Sequence, residues 1–299
     1  MVERHWVTSG EWLWQWWQAA RAAAIAHQVP PEEADWLLQQ LTDVDRLALR
    51  LASFRARPEI SLSLPPEQLE ALWQRRLQER VPVQYLAAIA PWRNFLLTVS
   101  PAVLIPRPET ELIIDLVVAA VGNTPLASGD WADLGTGSGA IALGLAEALP
   151  NATIHAVDLS AEALAIAQFN AAQTGLSDRI HFYQGNWFAP LASLKGRLSG
   201  MVSNPPYIPT VQVGSLQPEV TRHEPHLALD GGADGLDCIR HLVATAPEYL
   251  QPGGLWLVEL MAGQAIAVAE LLRQNGRYEA IQSHRDLAGI ERFVMARVR

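Results

Sequence analysis

Strand-like apolar runs alternate with helical stretches through the second half of this chain, and that alternation restricts its fold more than any other feature. Runs at Trp131–Leu134, Thr153–Val157, Arg179–Tyr183, Gly200–Ser203 and Leu255–Glu259 are separated by helical patterns such as Ala140–Leu149, Ala161–Gln173 and Leu236–Leu250. Strands joined by helices pair in parallel and need cover on both faces. Tyr278–His284 and Glu291–Val298 then follow with no helix between them, so an antiparallel edge pair is expected. The expected class is α/β, a doubly wound, mostly parallel, Rossmann-like sheet preceded by a small all-α domain.

The first part, Thr8 to about Arg80, reads as helical with no convincing strand. Thr8-Ser9-Gly10-Glu11 matches a capping box, and Leu13, Trp16, Trp17 and Ala20 recur at helical spacing. Pro30-Pro31-Glu32 and Pro65-Pro66-Glu67 read as helix starts, where a missing amide costs nothing. The tryptophans Trp6, Trp12, Trp14, Trp16 and Trp17 are read as core and rim residues ahead of a partner-binding face. Proline-rich Val81–Pro108 reads as a connector with extended pieces. The expected division is a helical domain over residues 1–82, a connector over 83–110 and the α/β domain over 111–299.

Composition removes several function classes. With 299 residues, 49% of them hydrophobic, the chain can bury a sizeable core, yet no apolar run reaches the roughly 20 residues of a membrane span. Met1–Gly10 has no cationic stretch leading into an apolar core, so no secretory signal is expected. Cys238 is the only cysteine, which excludes a disulfide framework and a thiolate metal cluster and favours a reducing, cytoplasmic setting. A net charge of −9 opposes direct binding of a long nucleic acid backbone. No metal site is expected: His223, Glu224 and His226 are interrupted by Pro225 and read as a loop brace.

Asp133-Leu134-Gly135-Thr136-Gly137-Ser138-Gly139-Ala140 stands where the first parallel strand turns into its helix. Its glycines let backbone approach a ligand, and the helix start offers free amides. Asp158 ends the next strand about 20 residues on, where a carboxylate can accept ribose hydroxyls. Together they indicate an adenosine-containing cofactor, either a dinucleotide or S-adenosylmethionine. Trp187, in Gly185-Asn186-Trp187-Phe188 after the third strand, is a candidate to stack on the adenine.

Ser203-Asn204-Pro205-Pro206-Tyr207 follows the fourth strand. Consecutive prolines hold the backbone extended and outside any ladder. Methyl transfer to a planar amide or amine nitrogen needs acceptors for its two hydrogens. The Asn204 side-chain oxygen and the Pro205 carbonyl meet that need, and Tyr207 can cover the flat face of the group. Catalysis then rests on alignment and on hydrogen bonds that tighten in the transition state.

With Leu104-Ile105-Pro106-Arg107-Pro108-Glu109-Thr110-Glu111 and Asp230-Gly231-Gly232-Ala233-Asp234-Gly235-Leu236-Asp237, these motifs make the chain resemble the peptide chain release factor glutamine N5-methyltransferases from about Val83 onward. The resemblance implies S-adenosylmethionine as cofactor, held by Gly135, Thr136, Gly137, Ser138, Gly139, Asp158, Trp187 and Asn204, and Asp133 and Asn186 are further candidates by position. It implies a substrate loop of Asn204, Pro205, Pro206 and Tyr207, with Arg107 at the rim. The implied substrate is the glutamine of the Gly-Gly-Gln loop in class 1 release factors, recognised with help from the helical domain. Asn186 stands where the family usually has Asp, and the family's Glu-x-Gly reads here Glu259-Leu260-Met261-Ala262-Gly263-Gln264. Ribosomal-protein glutamine methylation and adenine N6-methylation are the alternative chemistries, and a non-catalytic cofactor sensor or nicotinamide dinucleotide module the alternative class.

Overall fold

The computed structural model describes residues 6–299, so the first five residues of the expected helical domain lie outside it. The chain divides into two compact units. The first runs to Ala88 and also takes in Pro218–His223, while the second comprises Ile89–Gln217 and Glu224–Arg299. The first unit thus continues past the expected limit at 82 and includes a segment far away in sequence.

In the first unit, strand β1 (Trp6–Thr8) precedes helices α1 (Gly10–Ala26), α2 (Glu32–Leu41) and α3 (Arg46–Leu51). Strand β2 (Ile60–Leu62) then leads into α4 (Pro66–Gln78) and α5 (Val83–Ala87). β1 and β2 pair antiparallel, which corrects the expectation of an all-α domain. Three-residue strands are too short to carry a periodic signal, although Ile60 and Leu62 are both buried. The cap of α1 also differs. Ser9, not Thr8, accepts the Trp12 amide at 3.2 Å, and Glu11 turns to Arg55 at 2.7 Å. Gly10 sets the helix start because a Cβ there would fall 2.0 Å from the Phe54 carbonyl oxygen. Leu13, Trp16, Ala20 and Ala24 form the buried stripe of α1, and Trp6 stays exposed.

One ion cluster in this unit is buried. Arg76, 2% exposed, pairs with Glu33 and, at 2.9 Å, with Glu219 of the short helix Pro218–His223. Arg80 reaches the same Glu219 at 2.6 Å. Removing one partner would strand a charge away from water.

The second unit opens with a hairpin of β3 (Ile89–Trp92) and β4 (Phe95–Thr98), within the stretch read as a connector with extended pieces. Helix α6 (Leu112–Val121) precedes the main sheet. Its strands are β5 (Asp130–Leu134), β6 (Thr153–Asp158), β7 (Ile180–Gln184), β8 (Leu198–Ser203), β9 (Leu250–Glu259), β10 (Tyr278–Arg285) and β11 (Glu291–Val298). They lie in the order β10-β11-β9-β8-β5-β6-β7, with β9 to β7 parallel and β10 and β11 an antiparallel edge pair.

Helices α7 (Ala140–Ala148), α8 (Ala161–Thr174), α9 (Asp237–Thr245) and α10 (Ala265–Asn275) complete the layers. Alternate residues sort the two faces. Trp131, Ile154, Val202 and Leu257 pack with α6 and α7 in one core, and Ala132, Leu134, Trp256 and Val258 pack with α9 and α10 in the other. Each such buried aliphatic side chain is worth about 1.5–3 kcal/mol. The expected helix Leu236–Leu250 is shorter: after Thr245 a turn at Ala246–Glu248 leads into β9. Pro247 carries no amide to continue the helix.

This order places β5 between β6 and β8, so the chain winds one way from β5 and later returns on its other side. The carboxyl ends of β5 and β8 therefore flank the crevice where ligands bind in doubly wound sheets.

Candidate active site

A cavity of about 540 Å³ opens at that switch point. Its wall includes Gly135, Thr136, Gly137 and Ser138 after β5, Asp158 after β6, Asn186 and Trp187 after β7, and Asn204 and Pro206 after β8. Leu104, Arg107 and Thr110 contribute from the segment before α6. Asp133, Gly139, Pro205 and Tyr207 are not on the wall.

Asp133, Gly139 and Tyr207 have other tasks. Asp133 lies fully buried beneath the loop, where one carboxyl oxygen accepts the Thr136 hydroxyl at 2.6 Å and the Ala142 amide at 3.0 Å. Burial pushes this carboxyl up to about 7, against the pull of those two bonds. Gly139 caps α7 with a φ of 84°, and a Cβ there would meet Ala167 of α8 at 3.1 Å. Tyr207 turns its hydroxyl to Glu259 Oε1 at 3.4 Å, and burial raises its phenol.

The glycine loop is held from three sides. The amides of Gly135 and Thr136 donate to the Val157 carbonyl at 2.9 and 3.0 Å. The Gly137 amide donates to Asp158 Oδ2 at 2.8 Å, and Asn170 of α8 donates to the Ser138 carbonyl at 2.9 Å. At Gly137, with a φ of 55°, a Cβ would meet no protein atom within 4 Å, so the loop opens there onto the cavity. The Trp187 ring lies over Gly135, 3.6 Å from where a Cβ would stand. Asp158 Oδ1 accepts the Ser160 amide at 2.9 Å, and a carboxylate with two bonds still has lone pairs for ribose hydroxyls. This donor set fits S-adenosylmethionine: loop amides, a carboxylate at ribose distance along the fold, and an indole at the rim.

The Asn204–Tyr207 corner is braced from beneath. Asn204 donates its side-chain amide to Thr110 Oγ1 at 3.2 Å, which leaves the amide oxygen as the end that can accept from a ligand. Gln264, in the stretch that departs from the family pattern, donates to the Tyr207 carbonyl at 2.9 Å and to the Gly235 carbonyl at 3.3 Å. Gly235 is required at its position, since a Cβ would fall 2.3 Å from the Tyr207 carbonyl oxygen. The Gly231 amide donates to the Ile208 carbonyl at 2.8 Å, so the Asp230–Asp237 motif supports the Asn-Pro-Pro-Tyr corner.

Arg107 is clamped by Glu224, with contacts of 2.7 and 2.9 Å, and its carbonyl accepts the Trp92 indole at 3.1 Å. Burial raises the Glu224 carboxyl, opposed by Arg107. His223 instead meets the Glu79 carbonyl at 2.8 Å in the first unit, and the described residues hold no cluster of three metal-binding side chains. Cys238 is half-buried on the cavity wall. Sequence reasoning missed Asn170, Gln264 and the pair Thr110 and Glu259. Glu259 carried a signal, since it ends a strand at the ligand-binding edge of the sheet.

The strand order, the glycine loop after β5 and the Asn-Pro-Pro-Tyr corner after β8 define a class I, Rossmann-like methyltransferase. A family model described as the methyltransferase small domain matches residues 110–220. The hMettl16 catalytic domain in complex with MAT2A 3′UTR hairpin 6 shares the fold, with a TM-score of 0.56 and 15% identity over 87% of this chain and 88% of that one. A release factor glutamine methyltransferase from Synechocystis sp. is 56% identical over 292 residues, 97% of each chain. Another from Thermosynechococcus vestitus is 50% identical, covering 96% of this chain and 99% of its own. The chain belongs to the release factor glutamine methyltransferase family. No helix among the described residues is long and apolar enough to cross a membrane.

Proposed function

We propose that this chain methylates the side-chain amide nitrogen, N5, of the glutamine in the Gly-Gly-Gln loop of class 1 translation release factors, with S-adenosylmethionine as donor. The observation that carries the reading is Asn204: it stands on the same cavity wall as the glycine loop, with its amide nitrogen already engaged by Thr110. When bound, the cofactor supplies a methyl group on a sulfonium with its leaving group built in. The amides of Gly135 to Ser138, the Asp158 carboxylate and the Trp187 ring would hold it, with Asn186 at the adenine edge.

The chain's own residues then act by position. The Asn204 amide oxygen accepts one hydrogen of the glutamine NH2, and the Pro205 carbonyl is assigned the other. Held flat by two acceptors, the nitrogen keeps its lone pair free for the methyl carbon and loses a proton after transfer. Arg107, fixed by Glu224, sets the rim over which the loop enters. Such alignment converts a bimolecular encounter into an intramolecular step, and it is where most of the acceleration arises. A release factor substrate places the enzyme in the cytoplasm, and the net charge of −9 agrees with a protein substrate ahead of a nucleic acid.

The test is mass spectrometry of a class 1 release factor incubated with the protein and methyl-labelled S-adenosylmethionine. One methyl on the glutamine of the Gly-Gly-Gln loop is expected. Label on another residue, or none on the factor, would refute the reading.

A further inference from the structure

From the cavity wall inward three side chains form a relay of hydrogen bonds with a fixed direction. Thr110, buried on the turn Pro108–Glu111, donates its hydroxyl to Glu259 Oε2 at 2.7 Å and accepts from Asn204 Nδ2 at 3.2 Å. Glu259 is buried at the end of β9. In the parallel ladder Ser203 lies beside Val258, so Asn204 and Glu259 leave their strands as neighbours.

A hydroxyl owns one proton. While Thr110 gives that proton to the Glu259 carboxylate, its oxygen can only accept, and the end of Asn204 that faces it must be the NH2. The amide oxygen is then the end left for the substrate. With the hydroxyl reversed, the amide would flip and set its NH2 against the substrate NH2, donor against donor.

Resting on the reading of Asn204 as acceptor for a glutamine amide, we propose that Thr110 and Glu259 are positioning residues. The carboxylate sets the direction of the Thr110 hydroxyl, and the hydroxyl sets which end of the Asn204 amide the substrate meets.

Glu259 faces Thr110, the Tyr207 hydroxyl, Arg292 and Glu109. Burial and Glu109 raise its carboxyl while Thr110, Tyr207 and Arg292 lower it, and the outcome is about 7. Once protonated, Glu259 can donate to Thr110 and release the hydroxyl proton toward the Asn204 oxygen. Turnover therefore rises with pH through the neutral range as the correct direction is restored.

The experiment compares full-length wild type with Thr110→Val, Thr110→Ser and Glu259→Gln. The Val variant should lose about 10- to 100-fold in kcat, and the Ser variant should stay within about threefold of wild type. Cofactor Kd should be the same in all of them, and Glu259→Gln should flatten the pH profile. In parallel, the side-chain NH2 resonances of Asn204 are followed by nitrogen-15 NMR in the free protein. They should shift with pH in wild type and stop shifting in Thr110→Val. A Val variant as active as wild type, a Ser variant as slow as Val, or pH-insensitive Asn204 resonances in wild type would overturn the proposal. If wild type left glutamine unmethylated, the functional reading would fall instead, and the resonances of the free protein would still decide the positioning.

Discussion

The amide of Gly137 donates to a carboxylate oxygen of Asp158 at 2.8 Å, so the loop after β5 is tied to the end of β6. One side chain thereby shapes the glycine loop and offers its remaining lone pairs to a ligand. Replacing Asp158 by Ala should weaken S-adenosylmethionine binding about 10- to 100-fold, the value of one or two charge-assisted hydrogen bonds. Titration calorimetry reads this directly, and an unchanged Kd would remove the carboxylate from the ribose site.

Asn204 stands between an acceptor and a donor, the Thr110 hydroxyl oxygen behind it and the substrate amide assigned in front. Asn204→Ala should lower kcat by about 100-fold, comparable to loss of one oxyanion-hole donor, with a smaller effect on cofactor affinity. Single-turnover rates with release factor in excess would show it. Near-normal turnover would refute the acceptor role.

Arg76, itself almost out of reach of water, holds the partly buried Glu33 and Glu219. Arg76→Ala should destabilise the fold by up to about 3 kcal/mol, because Glu33 loses its counter-charge and Glu219 keeps only Arg80. Urea unfolding measures the cost. A loss under about 1 kcal/mol would mean that the pair behaves like a surface salt bridge.

Asp133 makes stability depend on pH in a defined direction. Its carboxyl moves from 3.8 to about 7 on folding, chiefly through burial, so between those values the folded chain keeps a proton that the unfolded chain has released. That contribution is complete below the unfolded value and is lost as pH rises through the folded one. The unfolding free energy of wild type, relative to Asp133→Asn, should fall by up to about 1.4 kcal/mol per pH unit across that window and level off above it. A flat difference between the two proteins would mean that Asp133 is ionised in the native state.

Much of the second unit was legible because its strands obey a rule that residues display locally. Trp131 and Ala132, or Leu257 and Val258, are apolar in succession because both faces of the sheet are covered. The glycine loop and the Asn-Pro-Pro-Tyr corner were legible because their backbone demands leave few residue types to choose from. The relay of Thr110, Asn204 and Glu259 was not, since 149 residues separate Thr110 from Glu259 and strand order alone brings them together. Likewise, Tyr207 belongs to the corner in sequence yet is not on the cavity wall, and its hydroxyl meets Glu259, 52 residues away. In the first unit, the pairing of Trp6–Thr8 with Ile60–Leu62 depends on a chain reversal that no local pattern announces.

The membership of Pro218–His223 in the first unit has a topological result. The backbone passes between the units three times, after Ala88, after Gln217 and after His223. A protease that nicks the polypeptide only at the Ala88–Ile89 bond would leave two further covalent bridges standing. The severed amino-terminal fragment would also stay clasped through Arg76 and Arg80 to Glu219, which remains part of the larger piece.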